Sequence, residues 1–141
     1  MIIKASTDDI VSGLTCLSEH FEGIKNTIPL VKECFKLDNG ICITKSLPII
    51  SGIKLKIMVT AEDNSGNLDL NITQATIAGI GFFGVLRVQA AKLIIKAAAP
   101  YTMIKLWKNN KGNLTLSIPQ IYFSQAGIVG DKLYLDFKVL T

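Results

Sequence analysis

Apolar positions change their spacing several times along the chain, and each change predicts an element. Ile2 to Ala5 reads as a short strand, and behind it Ser6 and Asp9 stand at capping-box spacing, with Asp where Glu or Gln is more usual. Ile10, Leu14, Leu17 and Phe21 then recur at helical intervals, predicting a helix from about Thr7 to Phe21 that Gly23 ends. Between Ile24 and Val31 the pattern is ambiguous, because Pro29 sits inside a weak helical period. From Lys32 the period becomes two. Lys32 to Leu37, a turn at Asp38-Asn39-Gly40 and Ile41 to Lys45 predict a hairpin, with Asn and Gly supplying positive φ. Ile53, Leu55, Ile57 and Val59 alternate with polar or more exposed positions, and after a turn over Glu62 to Asn67 the alternation resumes at Leu68, Leu70 and Ile72.

The period then returns to the helical value. A long helix is expected from about Phe82 to Ala99, where Pro100 stops it. Phe83, Leu86, Ala90, Leu93, Ile94 and Ala97 share one side at 100° per residue, while Val88, Ala91, Ile95 and Ala98 extend the apolar surface around a flank. Gln89, Lys92 and Lys96 form the polar strip. A helix apolar over most of its circumference requires cover on more than one side. Beyond it, Met103 to Trp107 and Leu114 to Ile118 predict two strands, and Ile121 to Ile128 with Lys132 to Leu140 predict a last hairpin around Val129-Gly130-Asp131. The order is α+β: helix, meander, long helix, meander, in one domain over residues 1–141.

Composition narrows the chemistry more than the fold. The chain has 141 residues, 49% hydrophobic and 18% charged, enough apolar material for a core without disulfides or metal. His20 is the only histidine, and there is no Cys-x-x-Cys pair, so most metal and general-base sites lack their usual residues and no cofactor is expected. Between Asp69 and Asp131 there is no acid, whereas Arg87, Lys92, Lys96, Lys105, Lys108 and Lys111 make that stretch a candidate contact for phosphates. Nucleic acid is disfavoured, because arginine occurs once and no aromatic-basic interleaving is present. Cys16, Cys34 and Cys42, with no signal peptide at the start of the sequence, point to free thiols in a cytoplasmic setting. The window Gly79 to Ala97 carries three cations and is a poor bilayer span.

Gly79-Ile-Gly81-Phe-Phe-Gly84 matches G-x-G-x-x-G where a strand meets a helix, the setting for a pyrophosphate at a helix N-terminus. The preceding strand belongs to an antiparallel run and no acid follows within about 20 residues to hold a ribose, so the motif reads better as a tight turn. Ser12, Ser18 and Ser51 would have to share His20 as base, and none lies in a Gly-x-Ser-x-Gly elbow. Asp8 and Asp9 are explained by the helix dipole they precede. No enzymatic activity is expected.

The order of these elements, from Ile2 to Phe21, through the strands to Thr60, the turn Asn64-Ser65-Gly66-Asn67 with Leu68-Asp69-Leu70, Gly79 to Gly84 before the long helix, and closing Gly130-Asp131-Lys132-Leu133-Tyr134-Leu135, resembles the bacterial tubular lipid-binding superfamily. That is the fold of bactericidal/permeability-increasing protein, and the likeness is greatest to its LmeA-like type and to the OrfX-type proteins of clostridial neurotoxin clusters. The resemblance implies a strongly curved antiparallel sheet wrapped around a long apolar helix, with a shorter N-terminal helix, and a lipid held between the two. By their faces, Phe83, Leu86, Ala90, Leu93 and Ile94 would meet acyl chains, and Tyr101 and Trp107 would border the opening. Arg87, Lys92 and Lys96 would meet an anionic headgroup or membrane surface. The alternative expectation is an interaction module, in which a second copy or a partner protein covers the apolar helix and the strand edges.

Overall fold

The computed structural model describes residues 1–20, 25–46, 54–77, 80, 83–99 and 101–140. Its elements are β1 (Ile2–Ser6), α1 (Thr7–Ser18), α2 (Thr27–Cys34), β2 (Phe35–Leu37), β3 (Ile41–Ser46), β4 (Lys54–Asn64), β5 (Asn67–Ile77), α3 (Phe83–Ala98), β6 (Lys105–Lys108), β7 (Leu114–Ser117), β8 (Ile121–Val129) and β9 (Lys132–Val139). They form two antiparallel sheets, one of six strands in the order β2-β3-β4-β5-β7-β6 and one of three in the order β1-β9-β8.

The β4–β5 hairpin is the longest ladder, running from Leu55 opposite Ile77 to Asn64 opposite Asn67. In a regular strand Ile72 and Ala75, three residues apart, would point to opposite faces. The register shifts so that Met58 opposes Gln74 while Val59 opposes Ile72, leaving Thr73 as the extra residue of a β-bulge. The bulge brings Ile72 (3% exposed) and Ala75 (1%) to the same face as Leu55, Ile57 and Val59. The Thr73 hydroxyl donates to the Met58 carbonyl across the shift, and the Asn113 side chain accepts from the Ile72 amide.

Helix α3 lies across that face. Leu86, Ala90 and Ala91 are buried on the sheet together with Leu114. Two consecutive alanines let the helix axis approach the strands closely, because a methyl group is all that separates them. At its N-terminal end the Arg87 guanidinium lies against Gly112 in the β6–β7 turn, where a Cβ would collide with it. At its C-terminal end Leu93, Ile94 and Ala97 reach toward β2, β3 and β4. The helix therefore crosses the sheet from one edge toward the other.

This overturns the expected architecture. The chain is mostly strand, its sheet is divided in two, and no sheet wraps around a long apolar helix. The helix predicted over Phe82 to Ala99 is present as the 16 residues of α3, but it is covered on one side only: Val85 is 69% exposed, and Lys92 and Lys96 are exposed beside it. Its alanine-rich flank reflects helix propensity as well as burial. The α+β content and the antiparallel pairing are as expected.

Several local expectations hold, with shifted boundaries. Ser6 and Asp9 form a reciprocal capping box at the start of α1, although Phe21 and Gly23 lie outside the described residues. Helix α2 takes up the ambiguous stretch and absorbs Lys32 to Cys34 from the predicted strand. Pro29 falls in its first turn, where a missing N–H costs no hydrogen bond. Asn39 adopts positive φ in the β2–β3 turn, and Cys16, Cys34 and Cys42 are free thiols.

The smaller sheet packs by way of β8 over the β4–β5 hairpin end. The Phe123 amide donates to the Gly66 carbonyl, and the Ala126 amide donates to the Asp63 carboxylate. Gly66 has φ +92 with the Tyr122 ring where a side chain would sit, so two requirements meet in one glycine. Farther on, the Asn39 amide donates to the Gly130 carbonyl and the Gly130 amide to the Asn39 side chain, clasping the turns of two hairpins. On β5 the Asp69 carboxylate, 4% exposed, accepts from the Thr115 hydroxyl and the Asn64 amide, and Thr115 in turn accepts from Asn109.

Replacing Asp69 with Ala leaves the buried Thr115 hydroxyl and the Asn64 amide without their acceptor, and should cost roughly 1–3 kcal/mol in urea unfolding. A second prediction concerns acid. The Ser6 backbone N–H holds the Asp9 carboxyl below the usual carboxylate range, helped by the Ser6 hydroxyl and by Lys132 and opposed by slight desolvation. Because the folded value is depressed, the stabilisation is present above the unfolded aspartate value and is lost as pH falls through the folded one. The stability difference between native protein and Asp9→Asn, measured by denaturant midpoint, should thus be constant above about pH 5 and shrink below about pH 4.

Candidate apolar cleft

Two depressions flank β2 and β3, and the alternation of the strands makes them chemically opposite. Lys36, Cys42, Thr44 and Lys56 point to one face, and Phe35, Ile43, Leu55 and Ile57 to the other. The first face, with Lys32, Glu33 and Asp38 around it, floors a wet groove of about 470 Å³ whose charges are of both signs. The second floors a cleft of about 290 Å³ closed laterally by two helices. Val31 and Cys34 of α2 form one wall and Leu93, Ile94 and Ala97 of α3 the other. Every described side chain lining it is apolar or a thiol except Lys45.

The cleft lies where α2 and α3 flank the sheet without closing over it. Ala97 and Leu93 lie on the same side of the helix as Leu86 and Ala90, farther toward its C-terminal end, and line the cleft. Leu55 and Ile57 remain 6% and 3% exposed, so the floor is buried even though the mouth is open. Apolar walls with few polar groups are the usual make-up of a small-molecule site, and this volume stands at the lower limit for one.

The sequence-predicted residues divide among several places. Leu93 and Ile94 line the cleft. Leu86 and Ala90 are buried in the core beneath α3, where no ligand reaches them. Phe83 opens α3, and its side chain lies outside the described residues. Tyr101 is half-buried after the helix and does not line the cleft, and Trp107, 42% exposed, stands on β6 at the far edge of the six-stranded sheet. The basic trio is split as well. Lys92 and Lys96 are exposed on the outer flank of α3, whereas Arg87 turns the other way toward Gly112, so the three do not converge on one headgroup.

Sequence reasoning missed Val31, Cys34, Phe35, Ile43, Lys45, Leu55 and Ile57. The signal for the floor was present in the alternation, but nothing local says which helix stops short of it. Of the glycine motif, Gly79 and Gly81 lie outside the described residues, and a Cβ at Gly84 would meet nothing within 4 Å. Close packing of this chain's own atoms therefore does not explain Gly84. His20 is exposed after α1. Among the described residues no group of three or more His, Cys, Asp or Glu could hold a metal ion, and no helix is long and apolar enough to cross a membrane.

Fold and site together define an α+β chain of two antiparallel sheets with an apolar cleft between helix and sheet. In comparisons with known proteins, no family model, no curated protein and no solved structure matches it.

Proposed function

We propose that the chain is a non-enzymatic binder of a small apolar ligand, held in the cleft between α2, α3 and the β2–β4 floor. The observation that carries this reading is the cleft itself: about 290 Å³ lined by Val31, Phe35, Ile43, Leu93 and Ile94, with no acid among its described lining residues. Binding would be driven by desolvation. Each buried methylene contributes about 0.8 kcal/mol, so eight of them give roughly 6 kcal/mol before the cost of immobilising the ligand.

Leu93 offers a test that spares the fold, since its side chain is 41% exposed and yet lines the cleft. Leu93→Asp should reduce binding of an environment-sensitive apolar dye at least tenfold while leaving the circular dichroism spectrum and the unfolding midpoint nearly unchanged. Native mass spectrometry of protein purified from its own source should detect a bound apolar molecule. Dye binding unaltered by Leu93→Asp would exclude this cleft.

A second reading, assembly with another copy of the chain, is favoured by the smaller sheet. The bulge at Ser124 aligns Phe123 with Ala126 and Ile128, and with Ile3, Ala5, Leu133, Leu135 and Phe137 they make an apolar sheet face on which only Phe123 is fully buried. Strand β1 is an edge of that sheet, and Ile2 and Ile3 are 59% and 40% exposed. The chain exposes 9038 Å², where a compact monomer of this length exposes ~7,100 Å². The excess, about 1,900 Å² on one chain, is more than the roughly 800 Å² that each partner gives up to a standard interface. Two β1 edges related by a two-fold axis would pair antiparallel and join the faces. Sedimentation equilibrium should show a concentration-dependent dimer that Ile3→Lys dissociates; a monomer at all concentrations rejects this reading.

A further inference from the structure

We infer that the cleft takes a single-chain amphiphile with one anionic head, and that Lys45 meets the head; the inference rests on the apolar-cleft reading. Positions 41, 43 and 45 of β3 point to the same face, and the first two are isoleucines packed on the core. Lys45 continues that row. It lies opposite Leu55, which is 6% exposed, so a cation stands where the alternation of the strand calls for an apolar side chain. It is the one charged residue among the described lining residues, and none of them is an acid. The Lys45 side chain has no ion-pair or hydrogen-bond partner among the described residues.

An unneutralised ammonium at the mouth of an apolar cleft selects by charge. Its aliphatic stem covers the floor while its head stays hydrated, so no desolvation penalty opposes the free state. An incoming carboxylate would sit beside it with its alkyl chain between α2 and α3. A neutral chain gains only the burial, and a cationic one meets repulsion. The volume of about 290 Å³ decides between one chain and two, because it stands at the bottom of the range for ligand pockets and leaves no room for a diacyl lipid. Lysine presents a point charge, not a planar fork, so carboxylate and sulfate heads should be accepted alike.

The test compares decanoate, decyl sulfate, decanol and decyltrimethylammonium below their micelle concentrations, by isothermal titration calorimetry at pH 8. Native protein should bind both anions about two- to fivefold more tightly than decanol, the scale of a partly exposed charge pair, and the cation most weakly. Lys45→Met should keep decanol binding and erase the anion preference, and Lys45→Glu should reverse it; Lys92→Met should leave the preference intact. Equal binding of decanoate and decanol by the native protein, or a preference that survives Lys45→Met, overturns the role of Lys45 while leaving the apolar cleft standing. Failure of all four ligands to bind removes the cleft reading and this inference together.

Discussion

The register of the β4–β5 ladder is the constraint on which the rest of the structure depends. It holds β3 on one side and β7 on the other, carries α3 on its face and meets β8 at its tip. All of this requires one continuous apolar face along eleven-residue strands, and the sequence of β5 does not alternate that far. The single extra residue, Thr73, reverses the parity so that Leu68, Leu70 and Ile72 on one side of it and Ala75 and Ile77 on the other all face the core. Without that reversal the half of β5 beneath α3 would present Gln74 and Thr76 to Leu86, Ala90 and Ala91.

The cleft follows from the same arrangement. Small residues at Ala90 and Ala91 seat α3 on the sheet, and Ile94 and Ile95 continue the contact. Leu93, Ile94 and Ala97 form one side of the cleft, and α2 makes the other wall without filling the gap. The apolar surplus of the chain is thus divided between a core, a cleft and a half-covered second sheet face. The second bulge, at Ser124, performs on β8 the parity reversal that Thr73 performs on β5.

Strands and hairpins were legible wherever alternation is uninterrupted, as in β4, β9 and the first half of β5, and so was the cap of α1, whose two residues are local in sequence. What was not legible depends on distant partners. A bulge looks like a lapse in pattern until the opposite strand is known, so Thr73 to Ile77 carried no strand signal. The division into two sheets depends on β1 finding β9 and on where β8 crosses, and neither is encoded in period or turn type. The apolar circumference of α3 suggested cover on more than one side because alanine counts as apolar whether or not anything lies against it. For the candidate site, Leu93 and Ile94 could be named from the helix alone, but Lys45 could be singled out only once its neighbours on the core face were known.

The pairing of β1 with β9 also orders events in time. Met1 and Phe137 exchange backbone hydrogen bonds at positions 136 apart in the chain, whereas the ladders from β2 to β5 join neighbours in sequence. A chain emerging from the ribosome can close those meander ladders early, but β1 has no strand partner until β9 has been made. Through that interval Ile2 and Ile3 stay open to other chains. Of the nine strands described, the first made is therefore the last to find its partner, which makes β1 the strand most dependent on rapid synthesis of β9 or on a chaperone.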